Sequence, residues 1–244
     1  MAERNTNVNK KIIWIVTAFT TITACTDQGY PDDKRFRPWR IGVAISYEFP
    51  AGVLEAYGIN EKEDWTSMML PYGNLVLGSR FTLENYRNYT YPEYSGQELP
   101  LTDAINFTPN QIGLGIKTLP DTIYIIWFSS NSYFKYFTEV NITPQIKSAM
   151  TKKYIRQWGT FEGQNCYQTD FIFGLLPDGR ARLWLEGCDY YTYIGEYQPA
   201  KSIPPENPKL AKNKPIPWDK VNQIWVHKKY QLQNLEDVVP PENN

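Results

Sequence analysis

The run Leu176-Pro177-Asp178-Gly179 constrains the fold of this 244-residue chain more tightly than any other stretch. Proline suits the second position of a tight turn, and glycine suits the left-handed position that follows. A three-residue loop of Pro177, Asp178 and Gly179 sets Leu176 opposite Arg180, which fixes the register of the flanking strands. Phe171 then lies opposite Leu185, Phe173 opposite Leu183 and Leu175 opposite Ala181, so one face of a hairpin over 167–186 is continuously apolar. The other face pairs Ile172 with Trp184 and Asp170 with Glu186.

Other segments repeat the strand signal. Trp39, Ile41, Val43, Ile45 and Tyr47 alternate with Arg40, Gly42, Ala44, Ser46 and Glu48, the period-two pattern of a strand with one buried face. Phe49-Pro50-Ala51-Gly52 then turns the chain into Val53 to Tyr57, its expected hairpin partner. Asn60 to Leu119 reads as long loops with short strands. Thr122 to Phe128 is apolar on both faces, as expected of a central strand covered on both sides. A turn at Ser129-Ser130-Asn131 leads to a strand over Tyr133 to Val140, and Thr143-Pro144 opens a short helix ending near Tyr154. Tyr190 to Gln198 forms a further strand with Tyr191, Tyr193 and Tyr197 expected on one face. The six prolines of residues 199–218 keep that segment out of a central sheet and wrap it on the surface. Asp219 caps a short helix through Val221, Ile224 and Trp225, with a strand as the alternative.

Aromatic residues at 15% and charged residues at 21% exclude a disordered chain and favour strands. The expectation is a mainly β (α+β) fold, with antiparallel sheets packed sandwich-like, one or two short helices and long loops. A single domain spans 38–240.

The N-terminus carries an export signal. Lys10 and Lys11 precede a mostly apolar run from Ile12 to Thr23. As a helix that run covers roughly 18 Å, short of a hydrocarbon core about 30 Å thick. It reads as residues 1–24 of a signal peptide rather than a permanent span. Ile22-Thr23-Ala24-Cys25 resembles the bacterial lipobox, which implies acylation of Cys25 and a membrane anchor without a spanning helix. Residues 25–37 would form the acylated tether. Thr26, where Asp would favour inner-membrane retention, points to the outer membrane of the bacterial envelope. Export makes Cys166 and Cys188 an even pair in an oxidising compartment, and a disulfide is expected. In the hairpin register they are diagonal neighbours, so a bulge or strong twist is needed to bring them into reach.

Removing residues 1–24 changes 25 basic and 26 acidic residues to 22 and 25, a net charge of −3. That balance is ordinary for a soluble domain, and the shortage of basic residues argues against nucleic acid and against electrostatic binding to anionic lipid.

Several segments resemble the bacterial lipoprotein family known as domain of unknown function 2931. They are Trp39-Arg40-Ile41-Gly42-Val43 with Phe49-Pro50, then Leu119-Pro120 leading to Ile125-Ile126-Trp127-Phe128-Ser129, and then Gly174-Leu175-Leu176-Pro177-Asp178-Gly179 with Trp184-Leu185-Glu186-Gly187. The resemblance implies an envelope lipoprotein with no assigned catalytic residue.

Candidate chemistry is sparse. His227 is the one histidine, so histidine-based metal sites and triads lack material, and no Gly-rich phosphate loop or Gly-x-Ser-x-Gly elbow is present. No catalytic residue, metal or cofactor is expected. Asp170 and Glu186, with Arg180 and Arg182 expected nearby to screen them, are the one carboxylate pair that could serve glycoside cleavage. Trp184 with Tyr191, Tyr193 and Tyr197 offers a platform for a sugar or a protein. The expected role is a non-enzymatic protein-binding module of immunity or envelope-assembly type. The alternative is a carbohydrate-binding or carbohydrate-cleaving module.

Overall fold

The fold was traced in a computed structural model that describes residues 31, 33–70, 75–76, 83–89, 91–102, 110–112, 118–211 and 214–239. Residues 1–24 and Cys25, with their leader and acylation expectations, lie outside the described residues. The first half contains β1 (Arg40–Ile45), β2 (Ala51–Asn60), β3 (Trp65–Leu70), β4 (Leu75–Val76), α1 (Leu83–Tyr89), β5 (Leu99–Leu101) and β6 (Asn110–Gln111). The middle contains β7 (Thr122–Ser129), β8 (Lys135–Asn141), α2 (Pro144–Thr151), β9 (Tyr154–Ile155) and β10 (Asn165–Cys166). The last part contains β11 (Asp170–Leu175), β12 (Ala181–Gly187), β13 (Tyr190–Tyr197), β14 (Lys201–Ile203), α3 (Trp218–Val221), β15 (Ile224–Val226), β16 (Gln231–Asn234) and α4 (Leu235–Val238).

Two sheets face each other. One runs β1-β11-β12-β13-β16, and the other runs β14-β8-β7-β2-β3-β6 with β4 also on β2. Ile41, Val43, Phe171, Phe173, Leu183 and Leu185 of the first sheet pack into one cluster with Val53, Ile123, Ile125 and Trp127 of the second. The mainly β expectation holds, with a qualification at the edges. β1 lies parallel to β11 and β16 parallel to β13, while the pairs between them are antiparallel.

The β11–β12 register agrees with the sequence reading at every pair, from Asp170 opposite Glu186 to Leu175 opposite Ala181. Gly179 sits at φ 100°, the left-handed position that the turn demanded. Thr143 caps α2 through its side chain, which accepts from the Ile146 N–H at 3.3 Å, and proline follows at the first helical position.

Three expectations are corrected. β1 does not pair with β2; its partner is β11, with Arg40 beside Asp170, while β2 lies in the other sheet beside β7. Ser46 to Pro50 is a corner between sheets, held by the Glu48 N–H on the Gly96 carbonyl at 3.0 Å and by buried Phe49. The cause is burial on both faces of β1. Ile41 and Val43 enter the inter-sheet core, and Ala44 enters a second cluster with Leu99, Leu101, Ile172 and Trp184 on the far side. That second cluster is covered by β5, β15 and α3, so the five-stranded sheet is the one packed on both faces.

β7 is central, between β2 and β8, yet it is covered on one face alone. Ile123, Ile125 and Trp127 are buried, whereas Tyr124, Ile126 and Phe128 are half-buried. Aromatic neighbours shelter that outer face: Tyr57 stacks on Tyr124 at 5.0 Å, and Phe128 lies over Gly52, where a Cβ would meet its ring at 2.2 Å.

The end of the expected tether is part of the folded body. Phe36 is 2% exposed and packs edge-on against Tyr167 at 5.1 Å. Asp33 accepts from the Tyr167 hydroxyl at 2.9 Å and from the Asn165 amide at 3.3 Å. The Pro-rich segment stays peripheral as expected, contributing β14 at the sheet edge beside β8. Among the described residues no helix is long and apolar enough to cross a membrane.

Candidate functional site: a cation-rich cleft at the open end of the hairpin

The open end of the β11–β12 hairpin forms the floor of a cleft of about 400 Å³. Asp170 begins β11 and Glu186 nears the end of β12, so the two carboxylates are neighbours across the ladder. β1 completes the floor on the other side of Asp170. Arg40 sits beside it in register and donates through Nε to Oδ1 at 2.9 Å and through a second guanidinium nitrogen to Oδ2. Burial pushes the Asp170 carboxyl above its ordinary range, and the hydrogen bonds and charge of Arg40 oppose that rise.

One wall is a tight turn from β12 to β13. Cys188 and Asp189 both have positive φ, 57° and 70°, the pattern of a type I′ hairpin turn, in positions where Asn and Gly are the common residues. Gly187 before them has φ 151°, and a Cβ there would lie 2.3 Å from the Tyr167 carbonyl oxygen. Tertiary contacts hold the turn. Cys188 is bonded to Cys166 with Cα atoms 5.6 Å apart, and Arg156 reaches Asp189 at 3.5 Å. The disulfide forms because the antiparallel ladder to β11 ends at Glu186 and the chain turns, carrying Cys188 out of the extended register that would have left it beyond reach. Buried Gln168 braces the same wall. Its amide donates to the carbonyls of Leu185 and Tyr190, each at 3.3 Å, and its oxygen accepts from Thr192 at 2.7 Å.

Two further segments line the cleft, one with Lys34, Arg35 and Arg37 and the other the β9–β10 loop with Trp158 and Phe161. In all, Lys34, Arg35, Arg37, Arg40, Arg156 and Lys229 line the cleft against Asp170, Glu186 and Asp189. Lys34, Arg35 and Arg37 are exposed and form no ion pair among the described residues. Four of the six lie in one run, Lys34-Arg35-Phe36-Arg37-Pro38-Trp39-Arg40, a basic stretch with interleaved aromatics that the sequence reading passed over. Arg156 and Lys229 join that run from segments far along the chain. A cleft with surplus guanidinium and ammonium groups favours a carboxylate, phosphate or sulfate.

The fold separates the residues singled out from the sequence. Asp170 and Glu186 line this cleft with both cysteines. Arg180 and Arg182 are not their screening partners, because they sit toward the other end of the hairpin, where both bind Glu196. Trp184 is 1% exposed, packs against Tyr193 with the rings tilted and 5.6 Å apart, and lies with it at a separate depression of about 340 Å³. Tyr191 is fully buried. Tyr197 points to the opposite side of the sheet, because a bulge at Ile194 shifts the β12–β13 register between Leu183 and Trp184. One inserted residue breaks the single tyrosine face that strict alternation suggested. His227 lies half-buried with its ring 5.2 Å from that of Tyr91.

Sequence reasoning did not single out Arg40, Arg156, Lys229 or the Lys34–Arg37 strip as site residues. The signal available for Arg40 was a charged residue opening an apolar strand. No curated protein and no solved structure matches the chain. Residues 25–230 match a family described as protein of unknown function (DUF2931). That match spans the cleft, the disulfide and every described strand but β16, and the chain therefore belongs to the DUF2931 family.

Proposed function

We propose that this protein is a bacterial envelope lipoprotein, anchored to the outer membrane by acylation of Cys25, that works by binding and not by catalysis. Its cleft receives an acidic group of a protein partner in the envelope. The observation that carries this reading is the cleft's surplus of cations, three of them without ion pairs among the described residues, in a chain that is net acidic. The family match begins at residue 25, which leaves the leader outside the shared sequence and agrees with cleavage before Cys25.

Two measurements test it. Mass spectrometry of protein purified from the envelope is expected to find Cys25 as an acylated N-terminus; a chain with the leader attached and a bare thiol defeats the anchor. Capture from detergent-solubilised envelopes is expected to recover a stoichiometric partner, and Arg35→Glu with Arg37→Glu is expected to weaken capture at least tenfold. Recovery of no partner under several growth conditions removes the protein-binding reading.

The carbohydrate alternative draws on the adjacency of Asp170 and Glu186. Arg40 engages both oxygens of Asp170, which leaves that carboxyl poorly placed to exchange a proton with a sugar. A glycan and peptidoglycan binding screen separates the two readings. Binding that Asp170→Asn or Glu186→Gln abolishes would favour the carbohydrate role.

A further inference from the structure

The β9–β10 loop combines internal order with exposed apolar groups. The Arg156 N–H donates to the Gln164 carbonyl at 3.0 Å, the Gly163 N–H to Arg156 at 3.0 Å, the Glu162 N–H to Gly159 at 3.1 Å, and the Gln164 N–H to Phe161 at 3.2 Å. Gly159 and Gly163 take the left-handed conformations that close the loop. Yet Ile155 is 48% exposed, Trp158 36% and Phe161 51%. Large apolar side chains held out on a preordered loop mark a surface that another phase covers.

Two observations identify that phase. The first is charge. Lys34, Arg35 and Arg37, all exposed, line the same cleft as Trp158 and Phe161, so cationic and aromatic groups share one surface depression. Tryptophan beside Lys and Arg is the combination that settles at a bilayer interface, and each basic residue near an anionic leaflet adds to the attraction. The second is reach. Asp33 is held to Tyr167 and to Asn165, which is in β10 at the base of this loop. Only eight residue steps separate it from Cys25, at most about 28 Å of extended chain. A chain anchored at Cys25 therefore keeps this end of the domain close to the headgroups.

We propose that Ile155, Trp158 and Phe161, with Lys34, Arg35 and Arg37, form a second, non-covalent contact with an anionic bilayer surface. The two aromatic rings enter the boundary between headgroups and acyl chains, while the cations meet lipid phosphates. The proposal deepens the anchored reading, which supplies proximity, but the contact does not itself require the acyl group.

The test uses the processed chain from residue 25 with Cys25→Ser, which holds every described residue and carries no lipid. Its partition onto phosphatidylcholine vesicles with and without phosphatidylglycerol is measured by sedimentation and by quenching of tryptophan fluorescence with brominated lipid. Binding is expected with phosphatidylglycerol and at least tenfold weaker without it. Trp158→Ser with Phe161→Ser is expected to lower partition about tenfold, and each of Arg35→Gln and Arg37→Gln about fivefold, with circular dichroism unchanged. No binding to the anionic vesicles overturns the proposal. So does binding that the aromatic substitutions leave intact, or equal retention by single-stranded DNA, which would make the patch a general polyanion site. Partner capture in detergent involves no bilayer, and the vesicle assay involves no partner or acylation, so failure of one leaves the other standing.

Discussion

At the turn end of the β11–β12 hairpin, charge is matched within the chain. Arg180 pairs with Asp178 at 2.7 Å and with Glu196 at 2.9 Å, Arg182 holds the other oxygen of Glu196 at 2.8 Å, and Asn222 accepts from both arginines. At the open end, Arg40 and Arg156 form ion pairs, while Lys34, Arg35 and Arg37 form none among the described residues, although the charge of Arg37 also acts on Asp170. The two ends also form their turns differently. Pro177, Asp178 and Gly179 close one end by local turn chemistry, whereas the left-handed pair Cys188 and Asp189 is held by a disulfide and by Arg156. Charge balanced inside the fold supports structure; charge left in excess at a held cleft is available to another molecule.

The largest expected effect falls on the open end. Replacing Cys166 and Cys188 together by Ala should lower the unfolding free energy by about 3 kcal/mol, since the bridge closes a loop with a sequence separation of 22. Urea denaturation under non-reducing conditions reads it. A negligible loss would mean that the cleft wall does not need its clamp, and the contrast between the ends would weaken.

Arg40→Ala should cost about 2 to 3 kcal/mol, because it leaves Asp170, whose side chain is 13% exposed, without its guanidinium. Adding Asp170→Asn should recover part of that loss. Arg180→Ala at the turn end should cost less than about 1 kcal/mol, because Arg182 still holds Glu196 near solvent. If Arg180→Ala proves the more damaging of the two in the same denaturation series, the comparison has been drawn the wrong way round.

The smallest effect concerns pH. Burial alone would raise the Glu196 carboxyl, but Arg182 and Arg180 outweigh it and hold it below the ordinary value of 4.5. Its contribution is therefore complete above about pH 4.5 and is lost as acidification passes through the lower folded value. Asp170 has the opposite sign. Its folded value lies above that of the unfolded chain, so its protonation on acidification favours the folded state. Urea midpoints measured downward from pH 6 should show an acid-side slope that Glu196→Gln reduces and Asp170→Asn does not.

What could be read from the sequence was local. The hairpin register followed from turn chemistry and period-two alternation within twenty residues, and each predicted pair from Asp170–Glu186 to Leu175–Ala181 is present. The α2 start followed from Thr143 and Pro144 for the same reason. The disulfide needed one non-local idea, an oxidising compartment, and the structure supplies the turn that makes it reachable. The site was less legible. Asp170 and Glu186 were identified, but their cationic company comes from residues 34–40, 156 and 229; the basic run at 34–40 is visible in the sequence, whereas its meeting with Arg156, Lys229 and the hairpin's open end is set by tertiary pairing. The tyrosine face failed on one bulged residue, which leaves no mark on an otherwise regular alternation. The β1–β2 hairpin failed because a nearby partner was assumed where tertiary burial selected a distant one.

That distant partner sets an order of assembly. β1 is synthesised early, yet the strand it lies against begins at Asp170, so 130 residues must appear before Arg40 can find its carboxylate. Long-range parallel pairing of this kind pays its loop-closure entropy before any contact rewards it, and it slows folding. A chain leaving a membrane from its N-terminus would therefore carry β1 unpaired until the second half arrives, and the cleft, whose floor is that pairing, would be among the last features to exist.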